Sequence, residues 1–166
     1  MPIESPSALP AMNGWRWAAW LALLVAASIA FTLAFACAVP FAAFAALSAA
    51  TLARRDGLML AVALWLANQV TGFAVLGYPW TANTVAWGIA LGAVAVLTTE
   101  IAYRATGRLV RTEPKMRAAG SFLAAFVVYE GTLALLSLTP FGGTEDFAPA
   151  IVAYVLVLNT VAVVGL

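Results

Sequence analysis

Residues 17–53 read WAAWLALLVAASIAFTLAFACAVPFAAFAALSAATLA, an apolar run without one charged side chain. Alanine returns through it at every fourth position: Ala18, Ala22, Ala26, Ala30, Ala34, Ala38, Ala42, Ala46 and Ala50. The length speaks for a membrane, because about 20 apolar residues suffice for a helix to cross the hydrocarbon core. The small residues at helical spacing speak for close helix contact, since lipid tails give no reason to prefer Ala over Leu. The abundance of alanine in the chain offers a compositional account of the same ladder. A four-residue period also drifts by about 40° per step on a helix of 3.6 residues per turn. Pro40 interrupts the run, and proline breaks or kinks a helix. The stretch therefore resolves into a first helix over 15–37 and a shorter second one over 41–53. Only Ala18 to Ala34 can share one face.

The rest of the chain has the same character. Of 166 residues, 64% are hydrophobic and 9% charged, where a soluble domain carries nearer a quarter charged. Residues 1–14 form a polar, proline-containing tail, and 15–166 form one transmembrane domain. Further helices are expected over 57–76, from 81 to about 104 and beyond, over 115–138, and from 144 to the end. Thr144 is placed to cap the last of these, with Glu145 and Asp146 in its positive first turn. Glu100, Arg104 and Arg108 follow at i, i+4 and i+8, acid before base on one face.

Arg16, the Arg54-Arg55 pair, and the group Arg104, Arg108, Arg111, Lys115 and Arg117 all fall on one side if the chain crosses six times. The other connections carry no Lys or Arg. The positive-inside rule then puts both termini in the cytoplasm. The expected fold is all-α: a six-helix, multi-pass bundle in a bacterial inner membrane. Ala36-Cys37-Ala38 resembles a signal-peptide cleavage site, but the apolar run before it exceeds the usual length, so the segment reads as retained.

Several functions are disfavoured. The chain has no histidine, which removes the commonest transition-metal ligand and the usual general base. Cys37 is the only cysteine, so no intrachain disulfide forms. Neither a metal nor another cofactor is expected. Net charge is +1, and no basic block suits nucleic acid. No Ser/Lys or Cys/His constellation argues for an enzyme.

The polar residues inside the apolar segments are the candidates for function. Glu130, in AAFVVYEG, lies about eight residues or roughly 12 Å from the outer end of the fifth helix. An intramembrane acid is costly and usually functional; a structural acid locking two helices is the other reading. Asn68 and Gln69 on the third helix lie at a similar depth, and Asn159 on the sixth slightly deeper. Amides donate and accept, which suits a neutral polar ligand; interhelical hydrogen bonding explains them equally. Above them come Tyr78, Asn83 and Trp87, the last two one turn apart on one face, as walls and lid of an outward-opening site. Trp80 reads as interfacial belt. Gly88 and Gly92 form a GxxxG pair that permits close packing. Thr98 and Thr99 read as bonded back to their own helix.

Size, six apolar helices, cytoplasmic termini and the alanine-rich first helix together resemble the S-components of energy-coupling factor (ECF) vitamin transporters. The resemblance is architectural, and the glycine-rich substrate loop of the biotin-type members is absent. It implies a subunit that binds a small polar nutrient, a vitamin, in the outer half of the bundle, with a cobalamin-type ligand left open. It also implies a transmembrane partner and an ATPase in trans, docked through Ala22, Ala26, Ala30 and Ala34 within the membrane lipid. Glu130, Asn68, Gln69, Asn159, Tyr78, Asn83 and Trp87 would then form the substrate site. The alternative is a structural or assembly subunit of a larger membrane complex, with the alanines as its permanent interface.

Overall fold

Pro40 does divide the apolar run, and the two parts meet opposite fates. The computed structural model describes residues 14–35 and 39–165. Cys37, Ala38, the residues of the tail before Gly14 and the side chains of Arg16 and Ala34 lie outside what is described. The described residues are helical and contain no strand. The α-helices are α1 (Gly14–Phe35), α2 (Phe41–Thr51), α3 (Arg54–Val70), α4 (Ala82–Arg108), α5 (Pro114–Ser137) and α6 (Pro149–Gly165). A π-helical turn, Thr71–Val75, prolongs α3. With that turn, α3 reaches 22 residues; it, α4 and α5 are each long and apolar enough to cross a membrane.

The shortest helix is the centre of the bundle. α2 has 11 residues, and every one from Phe41 to Ala46 is buried. At 1.5 Å per residue it is about 16 Å long. It packs against α3, α4, α5 and α6. Alanine is what allows this: Ala42 and Ala45 face Ala102, Phe122 and Phe126 in one core cluster, while Phe41 and Phe44 enter a second with Leu60, Leu64 and Tyr129. A helix apolar all round belongs in an interior.

A buried helix must satisfy its free terminal N–H and C=O groups, and side chains from distant helices help do so here. At the start of α2, the N–H of Ala43 donates to Asn159 Oδ1 of α6 at 3.1 Å. At its end, the Tyr103 hydroxyl of α4 donates toward the carbonyls of Ser48, Leu52 and Ala53 at 2.9, 3.2 and 3.2 Å.

Glycine brings α3 and α4 together. The Trp65 indole lies over Gly92, where a Cβ would fall 2.6 Å from its ring. Trp65 Nε1 donates to the Gly88 carbonyl at 2.7 Å. The GxxxG pair is therefore the seat of an internal contact. The charged end is tied by Glu100, which takes Arg54 of α3 on one oxygen at 2.7 Å and Arg104 of its own helix on the other at 2.9 Å.

Two helix starts differ from expectation: α3 begins at Arg54, three residues before the expected 57, and the last helix begins later than expected. Thr144–Phe147 is a separate 3₁₀ turn without a side-chain cap, and α6 begins only at Pro149. The cause is Pro149 itself, which is suited to the first turn of a helix but not to its interior.

Candidate functional site

The polar residues singled out in the sequence gather at three places. The first is the start of α2. Tyr129 of α5 packs on Phe41 with ring centroids 5.8 Å apart, so its neighbour Glu130 stands at the level of the first turn of α2. Asn159 reaches the same level from α6. Its oxygen is engaged by Ala43, and its nitrogen donates to the Val155 carbonyl at 2.9 Å. Asn159 thus caps α2 with its oxygen and is held by its own helix through its nitrogen. Glu130 is different. It is half-buried, on the flank of α5 one turn above buried Phe126, and among the described residues it forms no hydrogen bond or ion pair.

The second place is the end of the bundle away from the arginines. Asn83 and Trp87, one turn apart on α4, both donate to the Phe141 carbonyl, at 3.3 and 3.2 Å. The Trp87 and Phe141 rings meet edge to face at 5.3 Å. Gly142 and Gly143 follow with φ of 73° and 88°, a backbone conformation that glycine adopts without steric cost, and turn the chain back toward α6. The shared face of Asn83 and Trp87 is therefore a clasp that holds the α5–α6 connection over α4.

The third place is the end of α3. Asn68 is buried. Gln69 is half-buried, with its carboxamide in the notch left by Gly88. Beyond it the π-turn places Phe73 between two aromatics. Trp80 lies against it at 4.3 Å and Tyr78 edge-on at 6.1 Å. Gly72 is the floor under the Tyr78 ring. A groove of about 330 Å³ runs between Gln69, Val70, Phe73, Ala74 and Trp80.

Two further open grooves follow the outward faces of α3 and α5, with volumes of about 590 and 570 Å³. Neither these, nor the groove at Gln69, nor the small gap between Phe44 and Thr99 is lined by Glu130, Asn68, Asn159 or Trp87. The expected substrate residues are thus distributed over three locations, and of them Gln69 alone lines one of these openings. Among the described residues, no group of His, Cys, Asp or Glu could hold a metal ion.

The alanine ladder gives a fourth location. On α1, Leu24 and Ser28 are buried, while Ala18, Ala22, Ala26 and Ala30 are exposed on the opposite side. α1 packs on α3 and its π-turn. Beyond Pro40 the same ladder is internal at Ala42 and Ala46. Thr99 bonds back to the Ala95 carbonyl at 2.9 Å as expected, but the buried hydroxyl of Thr98 has no partner among the described residues.

Sequence reasoning missed Tyr103, Trp65, Phe73 and the Phe141 carbonyl. The first two sit opposite glycines (Gly57 and Gly92), which is the only local signal they leave. No family model, no curated protein and no solved structure matches this chain.

Proposed function

We propose that this chain is a membrane-embedded subunit of a larger assembly, docking a partner transmembrane helix through the alanine face of α1. One observation carries this. Ala18, Ala22, Ala26 and Ala30 are exposed on the side of α1 that faces away from the other described helices. Lipid gains nothing from such a face, whereas a second helix gains close approach.

The bundle would cross a bacterial inner membrane six times with both termini in the cytoplasm. α2 alone is too short to cross.

The test is a photo-crosslinking amino acid placed at Ala26 in the native membrane, with co-purification of the tagged chain alongside. A crosslink to a second membrane protein, lost together with co-purification in Ala26→Leu, is the expected result. Crosslinks to lipid alone, with co-purification unchanged, would refute the docking face.

A second reading is favoured by Glu130. A half-buried carboxyl without a partner among the described residues suits an anchor for a small polar nutrient, as in a vitamin-uptake subunit of ECF type. The partner at α1 would then be a transporter motor driven by an ATPase. Native mass spectrometry of the purified protein decides this: a retained small molecule, absent from Glu130→Gln, supports the nutrient role, and its absence from both favours assembly alone.

A further inference from the structure

We propose that the groove at the end of α3 binds a neutral, membrane-soluble flat ring carrying a carbonyl, a compound of the quinone class. This site stands apart from the docking face on α1 and does not depend on it.

The groove's own chemistry restricts its occupant. It is lined by Gln69, Val70, Phe73, Ala74 and Trp80, without a charged side chain, so a charged ligand would lose its hydration for no ion pair. Among the described residues, the Gln69 carboxamide makes no hydrogen bond. Its oxygen is the amide atom set against Gly88, with the nitrogen farther from that glycine, and Gln69 lines the groove; the N–H₂ is the group we assign to the ligand. A donor in an apolar groove selects a ligand with an acceptor such as a carbonyl.

The aromatic wall sets the shape. Trp80 packs on Phe73 at 4.3 Å with the planes 31° apart, yet 78% of Trp80 remains exposed. One indole face is covered and the other is bare, so a flat ring can extend the pair by offset stacking. Val70, 63% exposed beside it, offers apolar contact to a hydrocarbon tail. Gln69 lies six residues before Val75, about 9 Å down the helix. A compound entering sideways from the bilayer reaches that depth with its ring. The π-turn Thr71–Val75 produces the register, since it shifts Phe73 relative to Gln69; such turns recur at functional sites.

The test uses the full chain in phosphatidylcholine nanodiscs, titrated with 2-methyl-1,4-naphthoquinone while tryptophan fluorescence is read. Saturable quenching is expected, with most of its amplitude lost in Trp80→Phe. Gln69→Met keeps the length of the side chain without the amide and should bind about three- to tenfold more weakly, the loss of one hydrogen bond. On the unaltered protein, 2-methylnaphthalene, the same ring without carbonyls, should compete poorly. Non-saturable quenching, full amplitude in Trp80→Phe, unchanged affinity in Gln69→Met, or equal competition by the carbonyl-free ring would each overturn the proposal.

Discussion

Ala43 and Asn159, 116 positions apart, are joined by a 3.1 Å hydrogen bond from a backbone N–H to a side-chain oxygen. Both residues are buried. The amide of α6 thus does for α2 what a serine or aspartate beside the helix start does elsewhere. Pro40, at that position, has no side-chain acceptor to offer.

Removing the cap leaves a donor bare inside the bundle. Asn159→Ala should destabilise the protein by about 1–3 kcal/mol. Thr160→Ala, at an exposed neighbour bonded only to its own helix, should stay within about 0.5 kcal/mol. Reversible unfolding in detergent micelles compares the two, and equal midpoints would mean that the cap contributes nothing.

Tyr103 anchors the other end of α2 through its hydroxyl. Tyr103→Phe keeps the ring over Gly57 and removes only the donor. The expected loss is about 1 kcal/mol, while Tyr154→Phe at an exposed site should change nothing. The same unfolding assay reads both.

Gly92 and Gly131 make opposite predictions for one substitution. A methyl group at Gly92 meets the Trp65 indole, whereas at Gly131 it meets open space. Gly92→Ala should cost about 1–3 kcal/mol by overpacking. Gly131→Ala should be neutral or gain about 0.5–1 kcal/mol, because alanine loses less backbone freedom than glycine in a helix. A shift in Trp65 emission should accompany only the first.

Glu130 has no protein partner to lose among the described residues. Glu130→Leu should therefore leave the unfolding midpoint unchanged or raise it, since an acid in an apolar setting is costly. A fall of more than about 1 kcal/mol would reveal a structural bond and remove Glu130 from consideration as a ligand anchor.

The helices themselves were legible because proline marks their limits. Pro40 and Pro114 stand at helix starts, and apolar periodicity fills the intervals. Pro149 carried the same information, but the local chemistry of Thr144, Glu145 and Asp146 suggested an earlier start. The alanine ladder shows where legibility ends. Ala26 and Ala42 look alike in the sequence, yet one is exposed and the other has no exposed surface. That difference is decided by which helices surround α2, and no local pattern encodes it.

The candidate residues divide for the same reason. That Asn83 and Trp87 share a face follows from helical geometry. That both donate to the Phe141 carbonyl depends on how a loop more than fifty positions later returns. Asn159 read as a ligand-facing amide because an amide's chemistry is the same toward a ligand and toward a backbone N–H. Gln69 differs from it in having no protein hydrogen bond among the described residues, which only three-dimensional placement reveals.

The burial of α2 carries a consequence for biogenesis. A segment of 11 residues is a poor candidate for insertion on its own by machinery that recognises apolar length. Its neighbours α3, α4, α5 and α6 all follow it in synthesis. The second helix must therefore wait, and the group that closes its upper end arrives only with α6. A nascent chain halted before Asn159 would hold its central helix already covered by α3, α4 and α5 but with the Ala43 N–H still lacking its acceptor, so the core is sealed in two steps and the polar one comes last.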